Sequence, residues 1–568
     1  MIMRGLAATF AVSALVLSAC GSAPPASADG LPPRVAPKPD VAGPKYVAQM
    51  PGNSPVVRDG KDWTMPAWVR PAEFSGFYSE KVSEPDKVIV RAVDVSWRQL
   101  RPTEDGPLDL TASGEAQGLF LDSLKYQLDT PGPYWVRMFS SGVDWAPQWV
   151  VDKCDVEPVG TDYDGQQHLP IWNDCVWGEL SKTWEMLLKD QGLLDDPDFR
   201  FAYIPGAFTW SEYDYEMIAA AAHDGSLTAD DYLTWYRKML DFFVKLGGEH
   251  KGQLVFTGED YPWGPWNGPE NLLAAEATKA GLGIRNGITE EFNFHHSEAP
   301  SFGAQVSFDG HVIVNDSQAP HSGKTVVGTE NECYVDCGFA SKNPGYVVQM
   351  SNLLALQLRV NWLYVVPGPS LFDAEPENWD FVRLSVGHTP ADSADAWAVL
   401  REGEDTYWRD EVGPFDVRLW KNRPWIRNME RWVTQVDLPG AVARRSYVDV
   451  HKGDPTKENG TSYEGLSTSR GNQQLAFKID PRFLAAPMKA IVKVTYWDRA
   501  AGSFRVRFGG GQTPSVKFKG TKKWRTASFA INLTPGGTLP GGTDLRIVKS
   551  GSGGASFWML RVVRADQP

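Results

Sequence analysis

"TADDYLTWYRKMLDFFVKLGGEHKGQLVFTGED", residues 228 to 260, passes from an amphipathic helical stretch into a short apolar run. Another apolar run, "FRFAYIPGAF" (199–208), stands before it, so the order is strand, helix, strand. That is one βα unit, whose strands lie parallel because the helix carries the chain back. The pattern repeats from about residue 60 to 435. Strand candidates are "KVIVRAVDVSW", "PYWVRMF", "FRFAYIPGAF", "GQLVFTGED", "GITEEFNFH", "KTVVGTE" and "NWLYVVPG". Helical stretches such as "CVWGELSKTWEMLLKDQGLL", "NLLAAEATKAG" and "NPGYVVQMSNLLALQLRV" fall between them. Seven strands are visible and the eighth is expected within 140–175, which makes an α/β TIM (β/α)8 barrel with insertions. A doubly wound sheet would alternate too, but no glycine-rich phosphate turn follows the first strand.

From about residue 440 the helices stop. "QQLAFKID", "KAIVKVTYWD", "SFRVRFGG", "PSVKFKG", "WRTASFAI", "TDLRIVKS" and "ASFWMLRVVRA" alternate between Gly/Pro turns, the pattern of an all-β sandwich. Trp524-Arg525-Thr526 and Asp544-Leu545-Arg546-Ile547 resemble signatures of the jelly-roll modules appended to many glycosidases, which bind sugars or brace the barrel.

The N-terminal stretch "LAATFAVSALVLSAC" is too short for a spanning helix and reads as an export signal. Its end, Leu17-Ser18-Ala19-Cys20, resembles the lipobox of bacterial lipoproteins. The resemblance implies cleavage before Cys20, acylation of its sulfur and an extracytoplasmic protein held at the cell membrane by its lipid alone. The Pro/Ala-rich segment that follows is a tether. The expected division is 1–19 signal, 20–58 tether, 59–438 barrel and 439–568 sandwich.

Apart from Cys20, four cysteines remain, an even number suited to an oxidising compartment. Of three possible pairings, Cys154–Cys175 and Cys333–Cys337 are favoured, each closing one loop. Zinc is the rival, but no CxxC knuckle is present. No metal or cofactor is expected. A net charge of −14 gives no electrostatic footprint for nucleic acid. The 23 Trp stand out. Most belong to a core, yet flat indoles are also what a cleft uses to stack on sugar rings.

Working groups in a TIM barrel lie at the C-terminal ends of its strands. Read in order, those ends carry Asp94, Trp97 and Arg98; then Arg137, Trp145 and Trp149; then Trp210 and Glu212. Glu259, Asp260 and Trp263 follow, then Glu290, Glu291, His295 and His296, and finally Glu330 and Glu332. Carboxylates and tryptophans on one rim are the make-up of a glycosidase cleft. The arrangement resembles the large clan of retaining glycoside hydrolases with one Glu at the end of strand four and another at strand seven. "VSWRQLRPTEDGPLDL" looks like the clan's first-strand phrase, "VDWAPQWV" like its third-strand "P-x-W" and "LPIWNDCVWGELSKTWEMLLKD" like the lead into strand four. Ser211 stands before Glu212 where many members carry Asn, a departure that bears on substrate and family rather than on the barrel.

Cleaving a glycosidic bond needs an acid for the leaving oxygen and a carboxylate for the oxocarbenium-like carbon. Glu212 is assigned as acid/base, and Glu330, where the clan's "TE" nucleophile stands, as nucleophile. Glu332 and Glu259 are substrate-binding candidates. Trp97, Trp145, Trp210 and Trp263 are candidate sugar platforms, and each can equally be core. Arg137 is expected either to keep the nucleophile ionised or to form a barrel-interior salt bridge. One of His295 and His296 is expected to contact the nucleophile, a surface or core histidine being the alternative, and His295 is the substrate-binding candidate. His295 and His296 point to opposite faces of a strand and cannot chelate together. "GTENECYVDCG" lacks the spaced Asx pattern of a calcium loop. No G-x-S-x-G elbow or phosphate-binding loop is present.

The sequence therefore points to a surface-anchored glycoside hydrolase acting on an extracellular or cell-wall polysaccharide or oligosaccharide. Its Ala/Pro/Gly bias brings arabinan and galactan in as candidate substrates. The alternative is a carbohydrate-binding lipoprotein without catalysis on the same scaffold.

Overall fold

The computed structural model describes residues 54–79, 90–116, 119–159, 167–205, 221–257, 263, 272–288, 304–307, 309–314, 324–331, 344–365, 375–404, 427–445, 461–469, 471–499 and 501–567. Eight parallel strands close into a barrel: β1 (Gly76–Ser79), β2 (Val90–Ser96), β3 (Tyr134–Phe139), β4 (Phe199–Ile204), β5 (Leu254–Phe256), β6 (Gly283–Ile288), β7 (Val327–Asn331) and β8 (Trp362–Val365). Each pairs with the next, and β8 returns to β1 through Tyr364 opposite Tyr78.

Two strands differ from the expectation. The missing one is β1, "GFYS", not a piece of 140–175; that region supplies a short helix, Gln148–Cys154, and the start of the next one. Four residues make no readable apolar run, but β1 is paired on both sides and wholly buried, so closure itself stabilises it. The sixth strand is "GIRNGI", starting four residues before the expected stretch "GITEEFNFH". Arg285 and Asn286 hide its apolar character. "FRFAYIPGAF" and "KTVVGTE" still supply the fourth and seventh strands.

Alternation along these strands divides two cores. Tyr78, Val90, Trp135, Phe201, Tyr203, Val255, Val326, Trp362 and Tyr364 form one buried cluster inside the barrel. Trp135 stacks on Phe201 with ring centroids 5.7 Å apart, and Phe201 meets Trp362 edge-on at 5.5 Å. Each such ring removes roughly 150–250 Å² from water, about 4–6 kcal/mol before entropy is counted. The lumen is therefore filled, and ligands must bind at its ends. The alternate residues, among them Val93, Val136, Ala202, Ile204 and Phe256, face outward into the helical layer.

The helices follow from the same chemistry. In α2 (Ala229–Gly247), Tyr232, Trp235, Tyr236, Met239, Leu240 and Phe243 repeat at helical spacing and are buried. Thr228 caps it by accepting from the Asp231 amide, and Gly248, with φ of 53°, ends it in a conformation that favours glycine. α1 (Asp174–Glu185), α3 (Leu272–Ala280), α4 (Pro344–Gln357) and α5 (Pro376–Arg383) also lie between or after barrel strands.

Two antiparallel sheets form the second unit. One contains 488–497, 524–533 and 556–564; the other contains 474–479, 503–508 and 545–550. They do not begin at residue 439. Val56–Asp59 adds to the first sheet beside Arg525–Ser528, and Asp395–Val399 pairs with Met559–Val563. Met429–Arg431 joins the first sheet and Val433–Val436 the second, so the chain crosses between sheets at Trp432, whose φ is +58°. Trp63 packs edge-on against Trp558 at 5.6 Å and against Phe381 of α5 at 5.2 Å. Trp558, Met559, Trp397 and Met429 belong to the same buried cluster as the barrel's outer layer.

A small hairpin, Ala304–Val306 with Val312–Val314, docks on this seam through His311. His311 Nδ1 lies 2.8 Å from Glu430 and Nε2 lies 3.5 Å from Asp309. Burial and nearby Arg427 oppose the imidazolium, but Glu430 and Asp309 outweigh them, so its pKa is raised. A raised histidine pKa stabilises the fold fully below the unfolded value and loses that contribution as pH rises through the folded value. His311→Gln is therefore expected to lower the thermal midpoint more at about pH 5.5 than at about pH 8.5. Equal losses at both would rule out a charged His311.

Candidate functional site

All eight strands run the same way, so their C-terminal ends form one rim. On β2 and β3, Asp94 stands opposite Arg137. The guanidinium grips the carboxylate with both prongs, Nε to Oδ1 at 3.1 Å and Nη2 to Oδ2 at 2.9 Å. Such forked, charge-assisted pairs are the stronger kind. Gln127 holds the same stretch by accepting from the Asp94 amide and donating to its carbonyl. Arg137 also lies 4.9 Å from the centre of the Phe139 ring. Arg137 thus forms a barrel-interior salt bridge; its other expected partner, the side chain of Glu330, lies outside the described residues.

Further round the rim, the hydroxyls of Tyr78 and Tyr203 meet at 2.8 Å. The buried guanidinium of Arg285, on β6, lies 5.8 Å from the centre of the Tyr203 ring. Arg285 pairs with Gly328 on β7, where a Cβ would stand 3.4 Å from its own. Glycine there leaves the arginine its place. The pairing then slips by one residue, so that Glu330 stands opposite Ile288 on one side and Tyr364 on the other. Bulges of this kind re-aim the chain and gather beside active sites.

Glu330 thus has a placed backbone, next to last in β7. Its side chain lies outside the described residues, as do Glu212, Trp210, Glu259, His295, Glu332, Cys20, Cys333 and Cys337. Trp97 is fully buried and donates its indole N–H to Thr183 at 2.8 Å. Trp145 is 1 % exposed, its ring 4.9 Å from Phe139. Neither has an open face for a sugar, which corrects their reading as platforms. A Ser96-capped turn aims Trp97 inward, a matter of tertiary packing that no local pattern announces. Trp263 is half-buried, 5.9 Å from Tyr232 of α2.

The Cys154–Cys175 bridge is formed and ties the helix Gln148–Cys154 to α1. With a sequence separation of 21 it contributes about 3 kcal/mol by restricting the unfolded chain. Beside it, Glu179 receives Arg101 and Lys153, both at 2.7 Å, and Lys153 also reaches Glu104 at 2.7 Å. Disulfide and ion pairs together brace the long connections after β2 and β3. Arg285, Tyr203 and Tyr78 were missed in the sequence. Tyr203 and Arg285 follow the inward parity of strands four and six, whereas Tyr78 lies on a first strand too short to show a pattern.

No family model matches the chain, and no curated protein matches it. Among solved structures, the chitinase of family GH18 from Chromobacterium violaceum aligns over 94% of each chain at 9% identity, with a TM-score of 0.27. The carbohydrate-binding module CBM6cm-2 from Cellvibrio mixtus lichenase 5A, solved with cellotriose, aligns over 22% of this chain and 88% of its own at 14% identity, with a TM-score of 0.13. The barrel and the two sheets rest on their own strand pairing and not on these likenesses.

Proposed function

We propose that the chain is a retaining glycoside hydrolase, held at the cell surface by a lipid on Cys20, that cleaves an extracellular or cell-wall polysaccharide. The observation that carries this reading is Glu330 at the C-terminal end of the seventh strand of a closed barrel, directly after a register slip. Glu212, which follows the fourth strand in the chain, is the acid/base partner. Glu330 attacks the anomeric carbon while Glu212 protonates the departing oxygen, and Glu212 then takes a proton from the water that releases the sugar. Arg285 stands on the neighbouring strand, opposite Gly328 and two residues before Glu330 in the register.

Purified protein incubated with a panel of cell-wall and plant polysaccharides, arabinan and galactan included, should release reducing ends. The first-formed product should keep the substrate's anomeric configuration by proton NMR. Saturable binding without reducing ends would replace the enzyme with a carbohydrate-binding lipoprotein. For the anchor, Cys20→Ala should move the protein out of the membrane fraction; an unchanged distribution would dismiss the lipid.

A further inference from the structure

A cleft of about 610 Å³ opens at the opposite end of the barrel. Its barrel wall comes from residues that precede or begin strands: Phe74 before β1, Arg200 in β4, Lys324 before β7 and Asn361 before β8. Trp432 and Arg482 of the sandwich close the other side. This is the stability end of a TIM barrel, remote from the rim where chemistry is done.

Its charge is unlike that of the chain. Arg200, Lys324, Arg359 and Arg482 line it against one lining carboxylate, Glu73, in a protein of net charge −14. Asp480 pairs with Arg482 at 2.7 Å, and Asp392 takes up His388 at 3.0 Å, so these two partly offset the wall. Arg200 donates to the carbonyls of Pro197 and Phe199. Arg359 donates to the carbonyl of Gln357, and its Nε is buried with no hydrogen-bond partner among the described residues. Behind the wall, Arg431 gives Nη2 to Ser385 and His388, while its Nε and Nη1 are buried and likewise unpartnered.

The backbone is unusual at the same place. Arg359 has φ of +65° and Trp432 of +58°, two of four non-glycine residues with positive φ among those described. Arg359 follows the end of α4, at the position where glycine normally completes a helix C-cap. Trp432 is the crossing point between the two sheets. The two meet: Arg359 lies 5.1 Å and Arg431 4.2 Å from the Trp432 ring. A bulky residue in the left-handed region is disfavoured, and such residues cluster at ligand clamps. Burial, with Asp480 only partly opposing, holds the Arg359 guanidinium down at about 10, as expected of a cation short of counter-charge.

We infer that this cleft is a second binding site, for a saccharide carrying a carboxylate or phosphate group. Guanidinium forks suit either oxyanion. The volume exceeds what a bare inorganic anion fills, and Phe74, only partly buried, adds an apolar wall for a ring. The inference does not depend on the catalytic reading, because the two sites lie at opposite ends of the barrel.

Calorimetric titration of the full chain tests it, with trigalacturonate and glucose 1-phosphate as charged probes, and cellotriose and inorganic phosphate as controls. At least one charged saccharide should bind saturably, more tightly than either control, and more weakly as salt is raised. Lys324→Gln with Arg482→Gln, both on accessible side chains, should weaken it about tenfold. Arg359→Gly should also weaken it while leaving the thermal midpoint level or higher, because glycine relieves the backbone and removes a cation facing Arg431. Failure of both charged saccharides to bind, affinity indifferent to the double variant, or phosphate binding as tightly as the sugars would each overturn the proposal.

Discussion

Glu330→Ala is expected to abolish turnover of the best polysaccharide found, a loss of at least about 10⁴-fold in kcat. Without the nucleophile no glycosyl-enzyme forms, so added azide should not restore a product of retained configuration. Glu212→Ala should behave differently. Its loss, about 10²–10⁴-fold, should be greatest on substrates with poor leaving groups, which need protonation most. Azide should then rescue the second step and give a glycosyl azide of retained configuration. The pair must come within ~5–5.5 Å for this mechanism, against roughly 6.5–9.5 Å for inversion. Glu332→Ala is the control and should weaken catalysis without erasing it. A dead Glu332→Ala beside an active Glu330→Ala would move the nucleophile by two residues. Full activity in both would remove strand seven from the chemistry.

Arg561→Ala should have the largest effect on stability, about 3–5 kcal/mol. Arg561 is buried in the strand 556–564, and its Nε donates to Asp395, which is buried as well. Its Nη1 reaches the carbonyls of Asp62 and Thr64 at 3.2 and 3.1 Å. One guanidinium therefore joins the segment before the barrel, the strand after it and the sandwich. Truncation would leave the buried Asp395 carboxylate without the guanidinium it pairs with. Part of the loss returns, because burial, and after it Arg561, pushes the Lys493 ammonium down. Lys493 is itself paired with Asp62 at 2.9 Å. Burial alone would raise Asp62, but Lys493 and the Thr64 hydroxyl hold it down. Urea unfolding of the full chain measures the difference. Arg561→Met with Asp395→Leu should recover much of it, since an apolar pair leaves no buried charge. A loss under about 1 kcal/mol in Arg561→Ala would mean that water reaches the site.

Periodicity exposed the architecture because it is local. Six of the barrel strands and seven strands of the sandwich lie where runs of a few residues put them, the sixth barrel strand begins four residues before its run, and the Cys154–Cys175 bridge follows from its spacing. The places of Glu212 and Glu330 along the chain follow from the same count, with the fourth and seventh strands keeping their numbers although the first had been overlooked.

What the tertiary structure alone decided is the set of partners. β1 is too short to show a pattern and exists because two neighbours bond to it across a closed sheet. Strand β6 carries an arginine inward, tolerated because Gly328 on the next strand makes room. Arg137 pairs with Asp94, 43 residues away, because β2 and β3 place the two opposite each other, a partnership that spacing along the chain does not announce. Trp97 and Trp145 look like sugar platforms in a row of letters and are core in space, because a buried face is defined by what packs on it. The same holds for the residues before 60 and after 394 that complete the first sheet. Residue type and spacing set which elements form, whereas burial, charge pairing and register depend on groups far apart in the chain, and only folding brings those together.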